Sequence, residues 1–478
     1  MPDIIDLTPF RTVLESRGVI TDRETIAPWL TDWRGRYHGE AQAILEPRTT
    51  AQVAAIVSIA AQLGVPLVPQ GGNTSMVGGA TPPEDGSALI LSLRRMDQIR
   101  SISAQDNLVT CEAGLILTNL HHAATAVGRR FPLSLGAKGS ATVGGLISTN
   151  AGGTQVLRHG TMRALVAGIE AVLPDGSIYD GLAPLKKDNR GYDIKQLLIG
   201  AEGTLGIITA ATLRLAPAVG DSAVAWVSLG SPHDALALLR FLEGQLGSCV
   251  EGFELIADDA LGHVLAHIPK TRSPVETRAP WHALVEIDMD APDDDAAAQL
   301  EAALASFFET GRGVDAAIAQ NKAQAEAFWR LRESLSEAER AIGPALQFDV
   351  SVPVQDMPDF ILNAAKASEA RFPGTTASAY GHLGDGNVHF HIRAPKNTVD
   401  GPGWVVENSK IISAFVHDAV VAARGSISAE HGIGQMKRAE LGRLSSPAQL
   451  TSLRAIKRAF DPSGIMNPGK LIPLASEG

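Results

Sequence analysis

The stretch Tyr380-Gly-His-Leu-Gly-Asp-Gly-Asn-Val-His-Phe-His-Ile392 reads as two β-strands joined by a tight turn. Asp385-Gly386 is the turn signal, because a type I′ hairpin needs positive φ at both central positions. A turn there pairs Gly384 with Asn387, Leu383 with Val388 and His382 with His389. Directly opposed residues share a face, with Cβ atoms roughly 5 Å apart. That spacing suits two imidazoles on one metal ion; the alternative is a turn whose histidines only pack or hydrogen-bond. A second segment, Ser426-Ile-Ser-Ala-Glu-His-Gly-Ile-Gly434, adds Glu430 as an oxygen ligand and His431 as a free base beside it. Two histidines and a carboxylate leave metal positions open for a substrate.

Around this stretch, from Ser222 to about Arg424, strands with alternating character (Val224 to Leu229, His282 to Met289) alternate with helices (His233 to Gly244, Ala296 to Thr310, Ala323 to Ile342). The pattern predicts an α+β domain, an antiparallel sheet with helices on one face. Pro292 to Asp295 reads as a charged turn. After it all, Pro447 to Phe460 is helical, and the Pro/Gly-rich end Asp461 to Lys470 is irregular and must lie against another surface.

The N-terminal half is organised differently. Ile4 to Leu30 reads as a helical lead-in. Ala51 to Leu63 is an amphipathic helix, and Val65 to Val68 a short buried strand that runs into Pro69-Gln-Gly-Gly-Asn-Thr-Ser-Met-Val-Gly-Gly79. Paired glycines after a strand let backbone N–H groups converge into an anion-binding nest. A Gly-rich surface loop is the bland alternative. The stretch is neither a P-loop nor the Rossmann fingerprint. Ala88 to Leu93 and Leu108 to Glu112 are strands, separated by the polar run Arg94 to Asp106. Leu115 to Val127 is a helix. A second tract, Gly136 to Gly145 and on to Asn150-Ala-Gly-Gly153, interleaves apolar residues, which argues for backbone packed closely on a flat surface rather than a linker. The domains expected are 1–50, 51–217, 221–424 and 425–478.

The totals bound the function. A chain of 478 residues is expected to hold two or three domains. Its net charge of −11 argues against nucleic acid or anionic membrane as partner. Two cysteines, Cys111 and Cys249, offer no CxxC spacing for an iron–sulfur or cysteine–zinc site. No signal peptide and no run of the roughly 20 apolar residues of a membrane span is read, so a cytoplasmic protein is expected.

Gln70-Gly-Gly-Asn-Thr74, Gly144-Gly145, Asn150-Ala-Gly-Gly153, Lys187-Asp-Asn189, Gly191-Tyr-Asp193, Ile199 to Gly206, Gly381 to His389, Glu430-His-Gly432 and Asn467-Pro-Gly-Lys470 stand in one order along the chain. In that order the sequence resembles the FAD-linked D-2-hydroxyacid dehydrogenases of the vanillyl-alcohol-oxidase superfamily. The likeness is greatest to the D-2-hydroxyglutarate and D-lactate dehydrogenases and spans about Asp32 to Pro473. The resemblance implies a PCMH-type FAD-binding domain, an antiparallel-sheet cap domain and a C-terminal helical segment returning to the flavin. It implies FAD held by Gln70, Gly71, Gly72, Asn73, Thr74, Ser75, Gly144, Gly145, Asn150, Gly152, Gly153, Glu202, Gly206, Ile207 and Asn467. The nest carries Asn73 and Thr74 where relatives with covalent flavin often carry histidine, so non-covalent FAD is expected.

The resemblance also implies substrate contacts at Arg332, Ser336, Gln347 and Asn387. Gln347 departs from the lysine expected in glutarate-type members, which weakens the case for a dicarboxylate. Without the resemblance, Arg332 would read as an exposed helix arginine paired with Glu333 or Glu337.

The chemistry expected is metal-assisted oxidation of a 2-hydroxy acid. His382, His389 and Glu430 hold Zn2+, with Mn2+ or Fe2+ as alternatives, and His431 is the base. Electrons pass to an acceptor such as electron-transfer flavoprotein, a cytochrome or quinone, and a homodimer is compatible with the sequence. The rival readings are the flavin subunit of a glycolate-oxidase-type respiratory complex, and a non-catalytic FAD and metal protein.

Overall fold

The computed structural model describes residues 4–291 and 294–473. Pro292 and Asp293 of the expected charged turn lie outside the described residues, as do 1–3 and 474–478. The chain divides into two compact units: residues 1–153, 160–218 and 430–478 form the first, and 154–159 with 219–429 form the second. The C-terminal segment therefore leaves the second unit at Glu430 rather than at Gly425, and the six residues Thr154–His159 belong to the second unit despite their place in the Gly-rich half.

In the first unit, Val19–Ile20 (β1), Ile44–Leu45 (β2), Leu67–Gln70 (β3) and Leu89–Ser92 (β4) form one sheet in the order β1-β2-β4-β3. Strands β2 and β3 pair with β4 in parallel. The helix Thr50–Leu63 makes the crossover that parallel strands require. Its sequence explains it. Val53, Ile56, Val57 and Ala60 fall on one stripe and are buried, the Thr49 side chain accepts from the Gln52 N–H, and Gly64 ends the helix in a left-handed conformation.

A second sheet and a short ribbon follow: Ile99–Ser103 (β5), Leu108–Glu112 (β6), Arg129–Arg130 (β7), Val166–Val172 (β8), Ile178–Gly181 (β9), Ile207–Arg214 (β10) and Ala216–Pro217 (β11). The sheet order is β5-β6-β10-β8-β9, and β7 pairs with β11. Two expectations need correction. The polar run Arg94 to Asp106 contains strand β5, whose residues are half-buried or exposed because it is an edge strand. The lead-in Ile4 to Leu30 contains strand β1 as well as helical turns.

The second unit is built on one seven-stranded antiparallel sheet. Its strands are Asp221–Leu229 (β12), Val250–Ala257 (β13), Trp281–Met289 (β14), Gly313–Ile318 (β15), Ala345–Ser351 (β16), Thr376–His382 (β17) and Asn387–Arg393 (β18). The order is β15-β12-β14-β13-β17-β18-β16. Helices cover both faces, not one. Ala223, Ala225, Val227 and Leu229 of β12 pack with Leu238, Leu242, Leu300 and Phe307 on one side. The alternate residues Val224 and Trp226 pack with Leu261, Val264, Leu331, Leu335 and Ala338 on the other. β12 is apolar at both parities, which is why both of its faces must be covered. The expected helix Ala323 to Ile342 is two helices, Lys322–Glu333 and Leu335–Ile342, broken at Ser334.

The hairpin forms with a different turn. Leu383 to Gly386 make a four-residue loop, in which the His382 carbonyl accepts from the N–H of both Asp385 and Gly386. Gly386 has positive φ (81°) and Asp385 does not, so the turn is not type I′. The register follows: Tyr380 pairs with His389 and Ser378 with His391, which sets His382 level with Asn387. The slip of two residues keeps every side chain on its face; a slip of one would have parted the two histidines. Gly386 has a steric reason, since a Cβ there would stand 2.1 Å from the Val352 carbonyl oxygen.

Candidate active site

The histidine-bearing face of the second unit is assembled from four strands and two helices. His382 and His389 are diagonal neighbours across β17 and β18, with ring centroids 5.6 Å apart in an edge-on arrangement. Each has a buried carboxylate behind it. Glu254 lies directly opposite His382 in the β13–β17 register, and its Oε1 is 2.5 Å from His382 Nδ1. Asp349 lies opposite His389 in the β16–β18 register, with Oδ1 4.0 Å from His389 Nδ1. A carboxylate bonded to the outer nitrogen of an imidazole is the usual second layer of a metal site, because that bond fixes ring orientation and raises ligand basicity; Glu254 makes such a bond to His382, and Asp349 stands at ion-pair distance from His389. The nitrogen donors of this unit thus fit a divalent metal.

Arg332 and Ser336, four residues apart, come down onto the same face. Arg332 is buried, with Nε donating to Glu254 Oε2 at 2.6 Å and its guanidinium 5.2 Å from the Tyr380 ring centroid. It is not the exposed helix arginine that the sequence alone suggests; it is buried and ion-paired with Glu254. Burial pushes the Glu254 carboxyl up, but the charges of Arg332 and His382 outweigh this and hold it at about 2. Ser336 Oγ is 3.1 Å from the Tyr380 hydroxyl. Gln347 sits opposite His391 in the β16–β18 register. Asn387 donates through Nδ2 to Asp349 Oδ1 and the Val350 carbonyl, which ties β18 to β16, while its Oδ1 is buried without a partner.

Beside this group stands another buried acid that sequence reasoning missed. Glu339 receives His263 and His391 through their Nδ1 atoms, each at 3.2 Å, and Arg393 through Nη2 at 2.5 Å. Burial raises its carboxyl, and these partners outweigh the burial and bring it to about 2. Glu254 was missed too. Its signal was present: a glutamate inside the apolar run Val250-Glu-Gly-Phe-Glu-Leu-Ile-Ala257 must be paired if that run is a buried strand.

In the first unit the expected cofactor residues form a backbone cradle. A Cβ on Gly71 would stand 2.1 Å from Thr142 Oγ1, and one on Gly72 would stand 1.8 Å from the Ser140 carbonyl oxygen. The nest therefore presses directly on the second glycine tract. Gly144 and Gly145 lie in a short helix, Val143–Ser148, and Gly144 approaches Ala113 so closely that a Cβ would sit 2.7 Å from the Ala113 Cβ. A Cβ on Gly153 would meet the Ser134 carbonyl oxygen at 2.1 Å. Ser75 Oγ accepts from the Gly79 N–H and closes the turn that follows Thr74. Asn73, Asn150, Glu202 and Asn467 all take positive φ. Asparagine tolerates that region; Glu202 is held there by its bonds.

Those bonds place Glu202 and the C-terminal segment together. The Glu202 carboxylate accepts from the N–H groups of Ile433 and Gly434 at 2.7 and 2.8 Å. Asn467 donates through Nδ2 to the carbonyls of Glu202 and Gly79. Residues 465–467 hydrogen-bond along β3. Burial raises the Glu202 carboxyl, against the pull of the two backbone N–H groups, Lys437 and Lys470. Its carboxylate thus anchors the loop that follows Glu430 and His431. Gly206 and Ile207 open β10, and Ile207 is buried in the core.

The amide oxygens of Gln70, Asn73 and Asn467 are buried without a hydrogen-bond partner. Three orphan acceptors beside a glycine cradle fit a bound group that carries N–H and O–H donors, such as a flavin with its ribityl hydroxyls. The cysteines are free; burial pushes the Cys111 thiol up to about 12, which makes it inert. Among the described residues no helix is long and apolar enough to cross a membrane.

Comparison with known proteins gives two family matches: "FAD binding domain" over residues 41–181 and "FAD linked oxidases, C-terminal domain" over residues 220–471. The chain is 36% identical to the mitochondrial D-2-hydroxyglutarate dehydrogenase of Arabidopsis thaliana, over 98% of this chain and 82% of that protein. It is 32% identical to a Schizosaccharomyces pombe mitochondrial protein provisionally named a D-lactate dehydrogenase, over 98% of this chain and 90% of that one. Among solved structures, an alkyldihydroxyacetonephosphate synthase shares the fold, with a TM-score of 0.74 at 14% identity over 98% of this chain and 86% of that one.

Proposed function

This chain belongs to the FAD-linked oxidases, and from that premise we propose that it is a metal-dependent dehydrogenase of D-2-hydroxy acids, 2-hydroxyglutarate or lactate-like, yielding the 2-oxo acid. The observation that carries the reading is the pair His382 and His389 on one sheet face, each backed by a buried carboxylate. With Glu430 they make a nitrogen/oxygen ligand set suited to Zn2+, with Mn2+ or Fe2+ as alternatives. A dication held there supplies Lewis acidity to the hydroxyl and α-carboxylate of the substrate. FAD, when bound, supplies the hydride acceptor.

The protein residues do the rest. His431 takes the proton from the substrate hydroxyl, since imidazole is matched to neutral pH. Arg332, Ser336, Gln347 and Asn387 orient the far end of the acid. Because Arg332 shares its charge with Glu254 and Gln347 is neutral, the protein accepts a second carboxylate with modest selectivity. The nest offers Asn73 and Thr74, so FAD is held without a covalent bond and leaves on acid precipitation. Electrons pass on to an external carrier, such as electron-transfer flavoprotein, a cytochrome or quinone.

The test is anaerobic mixing of the purified protein with D-2-hydroxyglutarate, D-lactate and their L-enantiomers. Bleaching of the flavin by the D-acids alone is expected. A flavin that stays oxidised with all four acids would remove this function.

A further inference from the structure

We propose that the strap Thr154–His159 is a positioning element for the hairpin of His382 and His389, with Glu251 as the clamp that holds the strap and Leu157 as the residue that bears on the hairpin turn. The strap is six residues of the second unit set in a stretch of chain that belongs to the first unit on either side. It starts after Gly153, where a Cβ would stand 2.1 Å from the Ser134 carbonyl oxygen, and ends at Gly160, which takes a positive φ of 73°. The clamp is built into strand β13. Val250 pairs with Ile287 and Gly252 with Glu286, so Glu251 is the extra residue of a β-bulge. A bulge re-aims a side chain, and the buried Glu251 turns to the strap.

Val156–His159 is a single helical turn, closed by the His159 N–H on the Gln155 carbonyl. Gln155, Arg158 and His159, at i, i+3 and i+4, share one face of that turn. Gln155 Nε2 donates to Glu251 Oε1 at 3.0 Å and Arg158 Nη1 to Oε2 at 3.3 Å, with His159 Nε2 3.4 Å from Oε2. Arg158 Nη2 also donates to Asp290 at 2.8 Å. A Cβ on Gly252 would be 3.6 Å from the Thr154 carbonyl oxygen, so the strap lies directly on the bulge. Leu157 leaves the turn on another side. A Cβ on Gly384 would stand 2.9 Å from Leu157 Cδ2 and 3.0 Å from Cδ1, so the isobutyl group lies flat against the Gly384 backbone. Gly384 is inside the loop Leu383 to Gly386, which joins the strand of His382 to the strand of His389. Held by the clamp, Leu157 is a fixed wall behind that loop and limits how far the two imidazoles can part. The inference deepens the proposed function, and its zinc arm rests on that reading; its hairpin arm does not.

The experiment is amide hydrogen exchange on the full-length, FAD-loaded protein, with equilibrium dialysis against Zn2+ in parallel. The segment 383–386 is followed, where the Asp385 and Gly386 amides donate to the His382 carbonyl. In Leu157→Ala it should exchange at least about tenfold faster, while strand β12 keeps its wild-type rate. Glu251→Gln should loosen the same segment and the strap with it. Leu157→Met nearly conserves volume and should keep the wild-type rate. The two leucine variants remove no charge, so they decide the matter if Glu251→Gln does not fold. Zinc affinity should fall about tenfold in Leu157→Ala and stay near wild type in Leu157→Met. Unchanged exchange at 383–386 in either Leu157→Ala or a folded Glu251→Gln overturns the proposal. An equal acceleration in β12 does so too, since it would mark a general loss of stability. Equal zinc affinity in a zinc-binding wild type and Leu157→Ala overturns it as well. If the wild type binds no zinc while the turn depends on Leu157, the metal reading fails and the positioning role stands.

Discussion

The cradle of the first unit and the histidine face of the second are built by opposite means. The cradle is written in backbone. Its glycines are required because a neighbouring carbonyl or side chain already occupies the space of a Cβ, as Ser140 does for Gly72. The face is written in side chains gathered from distant parts of the chain: Glu254, Arg332, Asp349, His382 and His389 meet through strand register and two helix turns. A backbone site is fragile to small additions, and a side-chain site to lost charges and partners. Each prediction below strikes one of the two.

The largest effect is expected in the cradle. Gly72→Ala drives a Cβ to 1.8 Å from a backbone oxygen, so the loop must shift. Such overpacking costs about 1–3 kcal/mol, and the purified variant should carry no FAD. Gly139→Ala, in the second glycine tract and with nothing within 4 Å of its Cβ, should remain yellow. Equal FAD content in the two would break the comparison.

His431→Ala removes the proposed base, and its kcat should fall about 10²- to 10⁴-fold with FAD retained. Steady-state rates across pH check this; a near-normal rate at neutral pH would take His431 out of the mechanism.

Glu339→Gln strikes a buried charge beside the histidine face. The Glu339 carboxyl is held at about 2 against an ordinary 4.5, so the fold prefers its ionised form. Its contribution is complete above about pH 4.5 and is lost as pH falls towards 2. Removing one partner of a buried ion cluster costs about 3–5 kcal/mol. Denaturant titrations should show that deficit at neutral pH, shrinking through the acid window. A deficit independent of pH would mean that His263, His391 and Arg393 do not hold the ionised form.

The smallest effect concerns substrate choice. Gln347→Lys places a charge opposite His391 in the strand register. A charge-assisted bond exceeds a neutral one by about 1 kcal/mol, so kcat/KM for D-2-hydroxyglutarate relative to D-lactate should rise about 5-fold. An unchanged ratio would show that this row of the sheet does not read the distal group.

What was legible in the sequence follows the same division. The Gly70s nest, the helix Thr50–Leu63 and strand β6 stand close to where the sequence puts them, because glycine pairs, caps and alternation are local signals. His382 and His389 shared a face as expected, although the turn type and register were wrong: the even slip preserved the face while Asp385 declined positive φ. Helices on both faces were missed because β12 is apolar at both parities, a pattern that fixes burial but not what covers it. Glu254 could be flagged as a buried acid in need of a partner, but neither it nor Glu339 could be placed in the site. Their partners lie 78 and 128 residues away for Glu254, and 52 and 76 for the histidines of Glu339. No spacing rule reaches that far.

The central claim is that this flavoprotein needs a metal for its chemistry, and rapid anaerobic mixing of chelator-treated protein with D-2-hydroxyglutarate tests it most directly. A bound dication supplies several kcal/mol of charge stabilisation. The stripped protein should therefore keep its FAD but bleach at least about a hundredfold more slowly, and added Zn2+ should restore the rate in the wild type but not in His389→Ala. Full-rate bleaching by a sample shown to be metal-free would contradict the account.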